Sequence, residues 1–248
     1  MKLTFLGTSH GVPSKDKYCS CCMLEVGQSI YFVDAGAPVV DELLRMDKNM
    51  DNVKAFFTTH SHGDHTNGLF NICHLFNWYF RSTSVDVFFT EEHFCNVFDE
   101  MLTCMNSGIP ICRDRIRLRV AYEGVVFEDE NIRVTYFPTA HMAAYGLPAY
   151  GILIEAEGRR VLFSGDCSNR LAAHDLPPML ETLPVDIFVC ELAHFRIDEC
   201  CEFLERSLAS KIIMTHVVEG HMDALLEYAD SSDKQIVAAY DRLEVNLS

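Results

Sequence analysis

Four side chains of types that commonly bind metals fall within six positions of the stretch TTHSHGDHTNGL: His60, His62, Asp64 and His65. In extended backbone, side chains at positions i and i+2 point the same way, so His60 and His62 can converge on one point. Gly63 allows a sharp turn, so the adjacent Asp64 and His65 can point toward a second position nearby. Imidazole and carboxylate are ligands for zinc, manganese and iron, so the spacing predicts two cations.

The alternative interpretation is a polar surface loop that is rich in histidine by chance. Such a loop would crowd several imidazolium groups together at mildly acidic pH with no compensating charge. The cluster also follows the apolar run Val53–Phe57, and the end of a buried strand is a rigid place from which to aim ligands. We therefore interpret the cluster as half of a binuclear metal site.

Further aspartate and histidine residues follow apolar runs elsewhere in the chain. Asp34 ends YFVD, His141 follows RVTYF, Asp166 follows RRVLF and His216 follows KIIM. One such residue by itself is most often structural or solvated. Together with the fourfold cluster, these positions predict side chains that converge from several strands on the same two ions.

These motifs, in this order along nearly the whole chain, resemble those of the metallo-β-lactamase fold superfamily. YFVDAG, THSHGDH, PTAHM, FSGD and IIMTH carry the resemblance. The resemblance implies that one ion is bound by His60, His62 and His141, that the other is bound by Asp64, His65 and His216, and that Asp166 bridges the two. It also implies that Asp34 binds no metal and instead hydrogen-bonds and orients the histidine loop. Zinc is the expected ion, with manganese or iron as alternatives.

Two further segments resemble the branch of the superfamily that cleaves phosphodiesters. LTFLGTSHGVP resembles the first strand and Gly-rich loop of ribonuclease Z and its smaller cyclic-phosphodiesterase relatives. VDIFVCELAHF resembles a segment from which a Glu and a His reach the scissile phosphate. The resemblance implies catalytic roles for Asp64, Glu191 and His194, with His194 as acid or phosphate contact. Asp166 argues against the true β-lactamases of this fold, which lack a bridging aspartate at this position. His62, where redox di-iron members have Glu, favours hydrolysis over oxygen or nitric oxide chemistry.

The expected reaction is hydrolysis of a small or cyclic phosphodiester by a hydroxide shared between the two ions. The formal net charge is −16, from 20 Lys and Arg against 36 Asp and Glu, and an acidic body repels polymeric nucleic acid. The one dense basic cluster, CRDRIRLR, is interpreted as a half-exposed strand. Extensive nucleic-acid binding is therefore not expected, and tRNA 3′-end processing is the less favoured alternative. A carbon ester, thioester or lactone as substrate, and a metal-binding protein without turnover, stay open.

The remaining cysteine and histidine residues have weaker patterns. The 11 cysteines are scattered and are expected to be reduced and mostly buried. Cys19, Cys21 and Cys22 in YCSCCM are considered for a structural metal, but a second ligand pair is missing. His10, in the Gly-rich loop, and His221, after the last motif, are expected on the surface or beside the metal ligands.

Short apolar or alternating runs separated by Gly, Pro, Asp and Asn predict an α/β protein rich in strands. Predicted strands cover residues 3–6, 23–26, 30–33, 53–58, 85–90, 116–120, 132–137, 151–155, 160–164, 187–190 and 211–215. Predicted helices cover residues 38–46, 66–80, 91–105, 199–208 and 222–229. No linker divides residues 1–248, so a single domain is expected. The expected architecture is a four-layer αβ/βα sandwich of two mixed β-sheets flanked by helices.

The location of the protein is predicted from its first residues and its apolar runs. MKLTFLGTSHGVP predicts a strand rather than a signal peptide, and no apolar run has the length of a membrane-spanning helix. Hydrophobic residues make up 49% of the chain, which is typical of globular proteins. A cytoplasmic protein without membrane contact is expected, and a homodimer is left open.

Overall fold

The computed structural model describes residues 1–247, and within that range fourteen strands form two seven-stranded sheets. The first sheet contains β1 (Lys2–Gly7), β2 (Cys21–Val26), β3 (Ser29–Val33), β4 (Val53–Phe57), β5 (Val85–Phe89), β6 (Ile116–Val120) and β14 (Glu244–Asn246). The second contains β7 (Gly124–Glu128), β8 (Ile132–Thr139), β9 (Ala149–Ala156), β10 (Arg159–Phe163), β11 (Val185–Leu192), β12 (Ala209–Val217) and β13 (Gln235–Ala238). The α-helices are α1 (Val39–Arg45), α2 (Gly63–Trp78), α3 (Glu92–Met105), α4 (Ile197–Arg206) and α5 (Met222–Ser231). None of the helices in this range has the length and apolar character needed to span a bilayer.

Both sheets are mixed. The first has the order β14-β1-β2-β3-β4-β5-β6, in which β3 to β6 are parallel. The second has the order β13-β12-β11-β10-β9-β8-β7, in which β10 to β13 are parallel. Parallel neighbours need long crossover connections, which contain α1, α2 and α3 in the first sheet and α4 and α5 in the second. The carboxyl ends of the parallel strands therefore share one edge of each sheet.

Three apolar cores separate the layers. Adjacent Phe56 and Phe57 on β4 belong to different cores, one under the helices and one between the sheets. On β11, Phe188 likewise packs in the core under the helices of the second sheet, whereas Val189 packs in the core between the sheets. Successive side chains of a strand face opposite sides, so a strand that is covered on both faces is a continuous apolar run. The predicted four-layer sandwich of two mixed sheets is confirmed.

The predicted strands all form, with ends that differ by at most two residues from the observed ones. Three strands were not predicted: β7, β13 and β14. Each lies at the edge of a sheet, and none of the three contains a fully buried residue. An edge strand packs against few apolar neighbours, so its sequence lacks the runs and alternation on which the prediction depends.

The cysteines of YCSCCM face different parts of the protein. Cys21 packs in the core under the helices of the first sheet, whereas Cys22 faces the core between the sheets. Burial raises the pKa of both thiols, which keeps them protonated and unsuited to binding metal. Among the residues described, no group with metal-binding spacing includes a cysteine. This arrangement does not favour the structural metal that was considered at this segment.

Candidate metal centre

Side chains that follow strands in both sheets meet at one edge of the sandwich. Those of the first sheet come after β4 and from the start of α2, and those of the second come after β8 and β10 and from the end of β12. All the predicted metal ligands belong to groups whose donor atoms lie within 4.8 Å of one another: His60, His62, Asp64, His65, His141, Asp166 and His216. The fold thus brings together residues from four distant parts of the chain.

Asp64 and His65 lie in the first turn of α2, not in the loop that the sequence predicted. The helix begins at Gly63, and His62 is the extended residue that precedes it, with φ −60° and ψ 147°. Successive positions on a helix are separated by about 100° of rotation, so Asp64 and His65 still diverge. The positive end of the helix dipole also favours the Asp64 carboxylate.

The first donor set consists of His60 Nε2, His62 Nδ1 and His141 Nε2. His62 Nδ1 lies 3.0 Å from His60 Nε2 and 3.4 Å from His141 Nε2. Asp166 Oδ2 approaches this set, at 3.7 Å from His60 Nε2 and 3.8 Å from His141 Nε2. Tetrahedral zinc with bonds of about 2.0–2.1 Å separates its nitrogen ligands by about 3.3 Å. The first donor set and Asp166 fit one tetrahedral ion.

The second donor set consists of Asp64 Oδ2, His65 Nε2 and His216 Nε2. Asp64 Oδ2 lies 3.3 Å from each of the two nitrogens, and Asp166 Oδ2 is 3.5 Å from His65 Nε2. His65 Nε2 is buried and has no hydrogen-bond partner among residues 1–247. A buried polar atom without a partner is costly unless something unseen satisfies it. This atom and its carboxylate neighbours fit a second cation.

The charges of the centre favour cations. Burial and the neighbouring His65 lower the pKa of His60 well below its ordinary value, which leaves that imidazole neutral and able to bind metal. Burial by itself would raise the pKa of Asp64, but a hydrogen bond with His216 and the nearby His65 imidazole lower it. Burial by itself would also raise the pKa of Asp166, and the surrounding imidazoles lower it well below its ordinary value. Two ionised carboxylates therefore lie among the imidazoles, and His60 can act as a neutral ligand.

Asp34 holds the histidine segment in place. Its carboxylate accepts hydrogen bonds from the backbone N–H and the hydroxyl of Thr59, and its Oδ2 lies 2.8 Å from His65 Nδ1. With Nδ1–H donated to Asp34, Nε2 is the nitrogen of His65 that faces the donor set. Asp34 has a left-handed backbone with φ 58°, and His216 has φ 52°. Such strain in non-glycine residues persists where the surrounding structure holds them firmly, as at functional sites.

We expect Asp34→Asn to weaken metal binding by about 10- to 100-fold while the fold is retained. The amide keeps the size of the side chain but removes the negative charge that favours Nδ1–H on His65. A competition titration with a chelator measures the change in affinity. Asp129→Asn is the matched control, because Asp129 accepts a hydrogen bond from Tyr31 away from the donor sets. Equal affinity in both variants would contradict the positioning role.

Glu191 and His194 lie beside the donor sets. Glu191 is buried, and its carboxylate accepts hydrogen bonds from the backbone N–H groups of Cys167, Ala193 and His194. Its Oε1 also lies 3.0 Å from His194 Nδ1, and that nitrogen is 3.9 Å from Asp166 Oδ2. Burial would lower the pKa of His194, but the Glu191 carboxylate raises it. The two predicted residues are thus a hydrogen-bonded pair at the rim of the centre.

The sequence did not identify Asp175, which joins two of the ligand segments. Its carboxylate accepts hydrogen bonds from the backbone N–H of Ala140 at 3.0 Å and of Ser168 at 2.7 Å. Ala140 precedes His141 and Ser168 follows Asp166 closely in the chain. Asp175 lies in a short 3₁₀ turn without apolar periodicity, so no sequence signal marked it.

His10 and His221, the two histidines with weaker sequence patterns, have different environments. His221 Nδ1 lies 2.9 Å from the carbonyl oxygen of Leu192, a bond that joins the start of α5 to the end of β11. His10 is half-buried and lies with Ser9 and Lys17 in the wall of a cleft. Neither histidine belongs to a donor group in the described chain. Their expected place, on the surface or beside the ligands, agrees with both positions.

The sequence of this chain is similar to those of several known proteins. The family model described as Anti-Pycsar protein Apyc1 matches residues 1–236. A ribonuclease Z from Synechococcus sp. is 30% identical over 181 residues, which are 72% of this chain and 55% of that protein. The chain spans about half the length of the curated relatives that it matches.

Two solved structures have the same fold. The short form of human tRNase Z aligns with a TM-score of 0.75 at 17% identity, over 100% of each chain. The metallo-β-lactamase fold protein YhfI of Bacillus subtilis aligns with a TM-score of 0.77 at 14% identity, over 99% of each chain. The predicted resemblance to the metallo-β-lactamase fold, near ribonuclease Z, is confirmed.

Proposed function

This chain belongs to the Anti-Pycsar protein Apyc1 family, and we propose that it is a binuclear metal-dependent phosphodiesterase that acts on small or cyclic phosphodiesters. The observation that carries the proposal is the position of Asp166 between the two donor sets. Its Oδ2 lies 3.7 Å from His60 Nε2 in the first set and 3.5 Å from His65 Nε2 in the second. A carboxylate shared in this way is suited to two neighbouring ions.

The proposed ligands divide into two sets that share one residue. His60, His62 and His141 would hold one ion, Asp64, His65 and His216 would hold the other, and Asp166 would contact both. Zinc is the proposed ion because imidazole predominates among these ligands, while manganese and iron also accept this mixture. Two such ions polarise phosphoryl oxygens and lower the pKa of a bound water to about 7.

The chain itself supplies the proton for the leaving group in this proposal. His194 Nδ1 is engaged by Glu191 Oε1 at 3.0 Å, so Nε2 is the nitrogen that is left to donate. The side chain of His194 is 25% exposed, so it can reach a substrate bound over Asp166. Glu191 keeps the imidazole in this tautomer and orientation, because it also holds the backbone on both sides of the centre.

For His194→Gln we expect kcat to fall by about 10²-fold for an alkyl phosphodiester while metal content is unchanged. An alkoxide leaving group needs a proton, whereas 4-nitrophenolate leaves without one, so a 4-nitrophenyl ester should lose far less. Rates for both esters measure the difference. His93→Gln is the matched control, because His93 is exposed on α3. Equal losses for the two leaving groups would contradict the acid role.

The charge of the chain supports a small substrate. In the basic cluster, Arg117 and Arg119 both pair with Asp86, and Arg115 donates to backbone carbonyl oxygens of Phe76 and Thr83. These guanidinium groups are therefore already engaged by other groups of the chain. With a formal net charge of −16, the body of the protein repels a polyanion at long range, while a cationic centre attracts a small anion.

A second candidate, tRNA 3′-end processing, is favoured by the curated relatives, which are named ribonuclease Z. Hydrolysis of a carbon ester, thioester or lactone would use the same ligands, because one fold and one metal site serve unrelated substrates. A metal-binding protein without turnover is the remaining alternative.

One set of assays separates these functions. The protein would be purified from zinc-supplemented medium, analysed for metal, and assayed with bis(4-nitrophenyl) phosphate, a cyclic mononucleotide, a precursor tRNA, a lactone and a thioester. We expect about two ions per chain and chelator-sensitive turnover of the phosphodiesters. Fewer than one ion per chain would overturn the binuclear site. Turnover of precursor tRNA or of a carbon ester well above that of the small phosphodiesters would overturn the proposed substrate class.

A further inference from the structure

A cleft of about 470 Å³ opens where α2 and α3 end. Its walls are the last residues of α2, Asn77 and Trp78, the residue after α3, Asn106, and the loop before β6. The loop is fixed to α2, because the backbone N–H of Cys112 donates to Asn77 Oδ1 at 3.0 Å. The volume is within the range of small-molecule sites. The cleft, called the α2 cleft, is therefore large enough for a small organic ligand.

The α2 cleft is separated from the metal centre by the length of a helix. Helix α2 carries Asp64 and His65 in its first turn and ends 16 residues after its start, at Trp78. Each residue of an α-helix adds about 1.5 Å, so the two ends of α2 are about 24 Å apart. A small ligand in the α2 cleft therefore cannot contact the proposed metal ligands.

The α2 cleft is basic although the chain is acidic. Arg81 and Arg115 line it, and none of the described residues in its lining is acidic, whereas the formal net charge of the chain is −16. The Arg115 guanidinium donates to the carbonyl oxygens of Phe76 and Thr83, which hold it in place without neutralising its charge. Arg81 is exposed and has no hydrogen-bond or ion-pair partner within residues 1–247. Two such guanidinium groups favour an anionic group such as phosphate.

An exposed aromatic ring lies in the same cleft. Trp78, the only tryptophan of the chain, is 62% exposed, and Ile109 in the lining is exposed as well. Large apolar side chains that are exposed together often mark a binding site, whereas a single one needs no explanation. An indole ring offers a face on which a flat heterocycle can stack. These side chains therefore indicate a ligand that has a flat ring in addition to its anionic group.

A buried amide in the wall of the cleft can hydrogen-bond to the edge of such a ring. Asn106 is 8% exposed and lines the cleft, and its Nδ2 donates to the carbonyl oxygen of Ile109 at 2.8 Å. This bond fixes the orientation of the amide, because only its NH₂ group can donate to a carbonyl. The second N–H of Nδ2 and the acceptor Oδ1 have no partner in the part of the chain that the structure describes. An amide with both groups free matches adenine, whose amino group and N7 form an adjacent donor and acceptor.

We propose that the α2 cleft is a second ligand site, which binds an adenine nucleotide away from the metal centre. The adenine ring stacks on Trp78, and Asn106 accepts a hydrogen bond from the amino group and donates one to N7. The phosphate group contacts the guanidinium groups of Arg81 and Arg115. The inference is independent of the proposed function, because none of these residues belongs to the metal centre.

Tryptophan fluorescence of the metal-containing protein tests this site, because its single tryptophan lies in the α2 cleft. Titration with adenosine 5′-monophosphate should change the emission of Trp78 in a saturable way. Inosine 5′-monophosphate, which has an oxo group in place of the amino group, should bind at least about tenfold more weakly. Adenosine, which has no phosphate group, should also bind about tenfold more weakly. Inorganic phosphate, which can bind at the metal centre, should leave the emission unchanged.

Arg81→Gln should weaken binding of adenosine 5′-monophosphate by about tenfold or more and leave binding of adenosine unchanged. The reason is the loss of a charge-assisted hydrogen bond to the phosphate group. Arg81 is exposed, so the variant should fold, and thermal unfolding checks this. Arg133→Gln is the matched control, because Arg133 is a half-exposed arginine of β8 that does not line the cleft.

The outcomes separate this inference from the proposed function, because the measurement needs no turnover. A saturable signal that depends on both the amino group and Arg81 supports the site. No saturable change with adenosine 5′-monophosphate, equal affinity for the two nucleotides, or unchanged affinity in Arg81→Gln would each overturn it. An equal change of emission with inorganic phosphate would mean that the ring is not recognised, and this result would also overturn the assignment.

Discussion

Replacing Asp166 by alanine should lower phosphodiesterase activity by at least about 10³-fold and remove most of the bound metal. Asp166 is the proposed ligand common to both ions, and its Oδ2 lies 3.5 Å from His65 Nε2 and 3.7 Å from His60 Nε2. Without this carboxylate, several imidazoles remain close together with less negative charge among them. His60 Nε2 and His62 Nδ1, for example, are 3.0 Å apart. Elemental analysis and steady-state kinetics on the same preparation measure both effects.

Asp198→Ala is the control for Asp166→Ala. Asp198 is an exposed aspartate in the first turn of α4, where it pairs with Arg196, so it shares the residue type but not the site. Its variant should retain metal and activity. A preparation of Asp166→Ala that keeps two ions per chain and activity within tenfold of the unmodified protein would show that Asp166 is not the shared ligand.

Replacing Asp64 by alanine should remove about one ion per chain and also lower activity by about 10³-fold. Asp64 Oδ2 lies 3.3 Å from both His65 Nε2 and His216 Nε2, so it belongs to the second donor set only. The first donor set should keep its ion. The remaining ion is not expected to support turnover, because charge on the phosphoryl oxygens would be stabilised from one side alone. Metal content therefore separates this variant from Asp166→Ala.

Asp223→Ala is a closely matched control for Asp64→Ala. Both aspartates lie in the first turn of a helix, Asp64 in α2 and Asp223 in α5, so loss of the favourable interaction with the helix dipole is common to both. Thermal unfolding of the two variants measures that shared contribution. Full activity in Asp64→Ala would exclude its assigned role, and a similar loss of activity in Asp223→Ala would indicate a general effect on the fold.

The sequence was sufficient to predict the central strands and the types and order of the proposed ligands. Both faces of the central strands are buried, so their apolar runs are continuous and easy to recognise. The extended spacing of His60 and His62 predicted convergence, and their nitrogens lie 3.0 Å apart. Edge strands such as β7 and β14 were missed because they bury little surface. Asp64 and His65 were assigned to a loop because Gly63 allows a sharp turn, although α2 begins there.

Only the tertiary structure decided which side chains share a site and what holds them there. Asp175 joins the segments of His141 and Asp166. Asp241, near the other end of the chain, accepts hydrogen bonds from Thr8 and Tyr18. These hydrogen bonds connect residues that are distant in sequence, so no local periodicity or spacing encodes them. By itself, the sequence determined the chemistry of the proposed ligands, because residue types and strand ends are local properties. The position of Asp166 between the two donor sets depends on how the two sheets pack, because packing alone brings these distant segments together.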